Sequence, residues 1–209
     1  MTEHGFEEVL SPHLYFDREH KTEAAKIFPG EFFATGREMV LVTVLGSCVC
    51  ACIRDKVSGI GGMNHFMLPE SGQDRSNPLG DSARYGIYAM EILINQLLKM
   101  GAKRGNFEAK VFGGGSVLRG FTVANVGERN AEFVLQFLRT ERIPVVAQDL
   151  LDIYPRKVYY FPSTGLVRVK KLKQVHNDTI ISRETEYNQR LQYSKLEGDV
   201  ELFDGKSNR

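Results

Sequence analysis

No stretch of this sequence is long and apolar enough to span a bilayer. The longest apolar run, around Met39 to Leu45, falls far short of the ~20 residues that a membrane helix requires. Charge of either sign is not in surplus. Twenty-seven Lys and Arg stand against 26 Asp and Glu, a formal net charge of +1, and the signs are mixed along the chain. No basic stripe results, so no nucleic-acid surface is expected. The first 20 residues lack the apolar core of a secretion signal and carry Glu3, His4, Glu7, Glu8 and Asp17 instead. Cysteine is scarce too. The three present, Cys48, Cys50 and Cys52, crowd into five residues, an odd number that fits free thiols in a reducing compartment better than a disulfide framework. The expectation is a cytoplasmic protein with no membrane insertion.

What is present is enough for one core: 209 residues, 42% hydrophobic, without internal repeats. Residues 1–28 are polar and mixed, with Leu14, Tyr15 and Phe16 as a short apolar patch, and read as a surface arm with one anchor. Residues 29–172 carry the regular patterns. Ile27 to Phe33 supplies a turn at Pro29-Gly30 and a short strand. Met39 to Leu45 is a strand whose continuous apolarity suggests burial on both faces. After Gly46-Ser47 breaks it, Cys48, Cys50 and Cys52 alternate with Val49, Ala51 and Ile53, which puts the three sulfurs on one side of a second strand. Ile60 to Leu68 is a third strand closed by Pro69, and Glu70 to Ser82 is a long aperiodic loop.

Helical spacing predicts helices over about Ala83 to Met100, ended by Gly101, and about Glu128 to Thr140. Phe107 to Phe112 and Ile143 to Leu150 read as strands. Val158 to Phe161 and Leu166 to Leu172 form a hairpin around Pro162-Ser-Thr-Gly165. Residues 173–209 are a more polar C-terminal extension packing on the same domain. In it, Ile181, Glu184, Tyr187 and Leu191 suggest an amphipathic helix, and Val200 to Phe203 a docking segment. The whole predicts a single-domain α+β layered sandwich.

The chemistry concentrates on two neighbouring segments. If the second and third strands pair, the Cys48 thiol and the His65 imidazole come within reach of each other, the minimum for nucleophilic acyl chemistry. Cys50 and Cys52 read as small buried hydrophobes. Cys48 differs because it follows the Gly46-Ser47 break, where backbone N–H groups near Ser47 and Cys48 can serve as oxyanion donors and lower the thiol pKa. A zinc site built on Cys48, Cys50 and Cys52 fails on geometry, since sulfurs at i, i+2 and i+4 of a strand span ~13 Å and cannot converge on one ion. Gly113-Gly-Gly-Ser116 lacks the spacing of a nucleotide fingerprint; its Gly114 region reads as a tight turn or a backbone wall for substrate near Cys48. Three classes stay open on the residues: a thiol acyl enzyme with an exposed, reactive Cys48, a binding module with a buried, inert one, and a peptidase or transglutaminase.

The motifs Leu45-Gly-Ser-Cys48, Gly61-Gly-Met-Asn-His-Phe-Met-Leu-Pro69, Phe112-Gly-Gly-Gly115 and Asn125-Val-Gly-Glu-Arg-Asn130 together resemble the CheD family, the chemoreceptor glutamine deamidases of bacterial chemotaxis. Flanking matches at Leu14-Tyr-Phe-Asp17, Lys26-Ile-Phe-Pro-Gly-Glu31, Glu186-Tyr187 and Gly198 to Phe203 extend the resemblance over roughly residues 14 to 203. It implies a three-layer α/β/β sandwich and hydrolysis of glutamine side chains in the cytoplasmic helical region of chemoreceptors. It also implies a chemotaxis phosphatase-type regulator as a further partner, and no cofactor or metal. The family nucleophile falls on Cys48 and the base on His65. The third family position, a threonine six residues before the cysteine, is Val42 here, with Thr43 one place later and, by strand alternation, on the opposite face. A bulge that restores Thr43, or a backbone carbonyl, is expected to orient the imidazole.

Overall fold

The computed structural model describes residues 13–69, 81–116, 126–173 and 178–193. Among the described residues, ten strands form two five-stranded sheets. The first has the order β1 (Leu14–Asp17), β2 (Thr22–Lys26), β4 (Val40–Leu45), β9 (Arg156–Phe161), β10 (Leu166–Lys171). The second has the order β3 (Phe32–Thr35), β6 (Gly61–Asn64), β5 (Val49–Asp55), β7 (Phe107–Gly113), β8 (Val145–Leu150). Side-chain alternation then sorts the core into layers. On β4, Leu41 and Leu45 face the second sheet, where they meet Cys48, Cys50, Cys52 and Met63. Val40 and Val42 face the other way, with Ala24 and Tyr159. On β5 the alternate residues Val49, Ala51 and Ile53 turn away from the sulfurs, onto the helices.

Those helices are α1 (Asp81–Lys99) and α2 (Val126–Thr140). Met90, Leu93 and Leu97 of α1 and Val134 and Leu138 of α2 are fully buried on the outer face of the second sheet. Each such side chain removed from water contributes ~1.5–3 kcal/mol, which makes this layer a main stabilising contact. The order of layers is therefore helices, sheet, sheet: an α/β/β sandwich. Gly101, at φ 97°, ends α1, and the N–H groups of Gly101 and Ala102 turn back to the carbonyls of Leu98 and Leu97. No helix among the described residues is long and apolar enough to cross a membrane.

Residues 14–26, read from the sequence as a surface arm, instead make the β1–β2 hairpin, and β2 extends the first sheet by pairing in parallel with β4. The charged run that suggested an arm is the hairpin turn. The Asp17 carboxylate accepts the N–H groups of Glu19 and His20, and the His20 ring packs on Tyr159 and Phe161. The third strand is shorter than expected because the Asn64 side chain, not a main-chain carbonyl, takes the Ala51 N–H. Pairing resumes beyond it in the same register, Cys52 opposite Met63 and then Val49 opposite Phe66. In the C-terminal extension, α3 (Asp178–Tyr193) buries Glu184 and Tyr187. The expected loop at Glu70 to Ser82 lies outside the described residues as far as 80, as do the Val200 to Phe203 segment and residues 1–12.

Candidate active site

The site forms where the chain crosses from one sheet to the other. β4 belongs to the first sheet and β5 to the second, and Gly46-Ser47-Cys48 is the whole connection between them. Two features hold this loop. Gly114 and Gly115 donate their N–H groups to the carbonyls of Cys48 and Gly46 at 2.8 and 2.7 Å. The buried Asn130 of α2 donates from its amide nitrogen to the Ser47 carbonyl and accepts from the Leu68 N–H, both at 2.9 Å. Gly114 thus buttresses the Gly46-Ser47-Cys48 loop; its N–H is committed to the Cys48 carbonyl and is not free to serve another oxygen.

His65 follows β6 directly, and its main chain is clasped by the Pro29-Gly30 turn: the Gly30 N–H reaches the His65 carbonyl at 2.7 Å, and the His65 N–H reaches the Glu31 carbonyl at 2.9 Å. Gly30 adopts φ 88°, a left-handed conformation suited to glycine. The imidazole is buried. Its Nδ1 lies 2.8 Å from Thr43 Oγ1, which in turn donates to the Ile27 carbonyl at 2.8 Å. The single hydroxyl hydrogen goes to the carbonyl, which can only accept. The threonine oxygen must therefore accept from His65, and the proton sits on Nδ1. Nε2 is left with its lone pair and has no hydrogen-bond partner among the described residues. Burial pushes the His65 pKa down to about 4, so the ring is neutral at physiological pH.

Thr43 reaches the ring without a bulge. The β4–β9 ladder is regular from Leu41 to Leu45, and Thr43 shares the inward face with those two leucines while Val42 points outward. Thr43 does lie opposite Val42, as strand alternation predicts; it is Val42, six residues before the cysteine, that faces away from the imidazole.

Cys48 Sγ, a ring nitrogen of His65 and a carboxylate oxygen of Glu184 all lie within 4.8 Å of one another. Glu184, on α3, was visible in the sequence only as one position of an amphipathic stripe. Its Oε1 accepts the N–H groups of Gly46 and Cys48 at 2.9 and 3.1 Å, and its Oε2 accepts the Ser47 N–H at 2.8 Å and the Ser47 hydroxyl at 2.6 Å. Three consecutive peptide N–H groups thus converge on one carboxylate beside the thiol, two on Oε1 and one on Oε2, an anion-binding nest. A metal ion could in principle bridge the three groups, but each Glu184 oxygen already accepts two hydrogen bonds, and the donor set is that of an oxyanion site. With α3 in place Cys48 has no solvent exposure, and its pKa is pushed up by burial and by the neighbouring Glu184 charge. The exposed thiol of lowered pKa expected from the sequence is not what this arrangement contains.

A sequence profile of the family described as "CheD chemotactic sensory transduction" matches residues 67–171. A protein of Methylobacillus flagellatus named "Probable chemoreceptor glutamine deamidase CheD" is 66% identical, over 94% of this chain and 98% of its own length. Proteins of the same name from Thiobacillus denitrificans, 64% identical over 95% and 98%, and, as CheD 1, from Dechloromonas aromatica, 63% identical over 96% and 99%, are similar throughout. The chain belongs to the CheD family. Two residues beyond Cys48, His65 and Thr43 shape this CheD site. Asn130 and Glu184 both act on the Gly46-Ser47-Cys48 loop from helices distant in sequence. The signal for Glu184 was a carboxylate on the apolar stripe with Ile181, Tyr187 and Leu191.

Proposed function

We propose that this protein hydrolyses glutamine side chains of chemoreceptors to glutamate, through a thioester on Cys48 with His65 as base. The observation that carries the reading is the His65 ring: neutral, locked by Thr43 in the tautomer that leaves Nε2 free, and set beside a thiol that adjoins three convergent N–H donors. The substrate class follows from the names of the relatives, each called a probable chemoreceptor glutamine deamidase.

In the reaction His65 Nε2 takes the Cys48 proton as the sulfur adds to the glutamine Cδ. The oxyanion that forms is held by the N–H groups of the Gly46-Ser47-Cys48 loop, one such donor being worth ~3 kcal/mol. The imidazolium returns its proton to the departing nitrogen, and ammonia leaves. A water deprotonated by the same imidazole adds to the thioester, the S–C bond breaks, and glutamate and the thiol are released. Each of these steps uses only side chains and peptide N–H groups of the chain and one water. The partners of the reading are the cytoplasmic helices of chemoreceptors, with a chemotaxis phosphatase-type protein as regulator.

Mass spectrometry of a chemoreceptor cytoplasmic fragment tests it. Wild-type protein should add ~1 Da at defined glutamines, and Cys48→Ala should abolish the change while leaving the fold intact. Cys50→Ala, altered only between the sheets, should retain turnover. Binding without a mass change would leave a binding module; cleaved or amine-linked products would mean a different thiol acyl enzyme.

A further inference from the structure

Cys48 is covered by a helix of its own chain. Glu184 enters the nucleophile loop from α3, 136 residues away in sequence, and is 2% exposed. Its carboxylate saturates the N–H groups of Gly46, Ser47 and Cys48, the donors an oxyanion intermediate would need. A carboxylate at the end of two methylenes, held beside the thiol, is also the chemical form of the product. The rest of α3 is seated to match. One turn on, Tyr187 is buried with its hydroxyl bonded to that of Tyr85 on α1, and its ring lies so close to Gly30 that an added Cβ there would stand 3.0 Å from it. Leu191 packs on the same inter-sheet cluster as Tyr187 and Cys48.

We propose that α3 is a built-in product mimic lying in the substrate groove. Glu184 marks the place of the reacting side chain. The space between the Pro29-Gly30 turn and α1 marks the pocket for an apolar or aromatic side chain three residues further along the substrate helix. The proposal rests on the deamidase reading and adds to it the shape of the substrate: a helix with a glutamine at one position and a bulky apolar residue at i+3. Such a segment must displace α3. A tethered competitor of this kind acts at an effective concentration in the mM range, so it holds basal turnover down and favours multivalent or tightly binding substrates.

Glu184→Gln turns the mimic into a substrate in cis. Cys48 Sγ bonds to Cδ of the introduced amide, the C–N bond breaks, the nitrogen leaves as ammonia with the proton carried by His65, and water then cleaves the thioester. With no receptor added, residue 184 of the purified variant should be found as glutamate, ~1 Da heavier than encoded, and should remain glutamine when Cys48→Ala is combined with it. Glu184→Ala should raise kcat/KM on a receptor fragment and the rate of iodoacetamide labelling of Cys48, each on the order of tenfold, the worth of one charge-assisted hydrogen bond. Tyr187→Ala, which loosens α3 without touching the loop, should speed labelling in the same direction.

A glutamine at 184 that persists in a preparation able to deamidate receptor would overturn the product mimic and leave the deamidase reading standing. Failure of wild-type protein to convert receptor would strike the deamidase reading itself. A folded Glu184→Ala variant with lowered turnover would make Glu184 a support of the loop rather than a competitor, and overturns the proposal. If the glutamine variant does not fold, Tyr187→Ala decides: labelling of Cys48 at the wild-type rate refutes it.

Discussion

Replacing Thr43 with valine tests the tautomer argument directly. The two side chains are nearly the same size, and Thr43 is 1% exposed between the sheets, so the change removes one oxygen and little else. That oxygen accepts from His65 Nδ1 at 2.8 Å and donates to the Ile27 carbonyl at 2.8 Å. Without it, the Nδ1–H loses its acceptor and the Ile27 carbonyl loses its donor. The alternative tautomer, with its proton on Nε2, then competes, and it cannot take a proton from Cys48. A neutral hydrogen bond contributes about 1–1.5 kcal/mol net, so kcat should fall roughly tenfold. KM should hold, because Thr43 does not touch substrate. Thr43→Ser keeps the hydroxyl and should recover most of the rate. The assay is ammonia release from a receptor fragment over a range of pH, with a thermal melt to confirm the fold. A valine variant with wild-type kcat, or a serine variant as slow as valine, would refute the assignment of the proton to Nδ1.

The burial of His65 predicts a pH dependence of stability. Its folded pKa is lowered to about 4 against ~6.5 for an unfolded histidine. Between those values the unfolded chain binds a proton that the native protein does not, so stability is full above pH ~6.5 and is lost as pH falls towards 4, by up to about 3 kcal/mol. Urea titrations should therefore show a shallower acid loss for His65→Gln than for wild type, and equal slopes would contradict it. Gly113→Ala should cost about 3 kcal/mol or more and disturb the Gly46-Ser47-Cys48 loop, since φ is 114° and the new Cβ would clash with the Cys48 carbonyl oxygen. Gly101→Ala, at φ 97° in open space, should cost only about 1 kcal/mol, and matching losses in the two variants by denaturant unfolding would discount the clash.

Where local periodicity carries the signal, the fold was legible. The alternation of Cys48, Cys50 and Cys52 with Val49, Ala51 and Ile53 did sort into two cores, and α1, α2 and the β9–β10 hairpin lie within a few residues of their expected positions. What escaped depends on partners far along the chain. Thr22-Glu-Ala-Ala-Lys26 has little strand propensity and is a strand because β4 pairs with it in parallel. The pairing of Cys48 with His65 could be inferred from adjacent strands, whereas the face of Thr43 hinged on a single residue of register. Glu184 was beyond reach: a carboxylate on an apolar stripe announces an anomaly, but not that its partner is a loop at the opposite end of the sequence.

The crossover from β4 to β5 at Gly46-Ser47-Cys48 also ties chemistry to assembly. Thr43 belongs to one sheet, Cys48 and His65 adjoin strands of the other, and the three thiols lie between them. On the deamidase reading, neither sheet alone holds His65 in the tautomer that a base needs. On that reading, activity requires the two sheets to be docked, and the long-range pairing of this topology makes that docking phase slow. Until that phase closes, Cys48, Cys50 and Cys52 stand open to oxidants; afterwards they are sealed. The interval in which a newly made chain is chemically vulnerable is thus the same interval in which it is inactive, and a pulse of thiol-trapping reagent during refolding would time both.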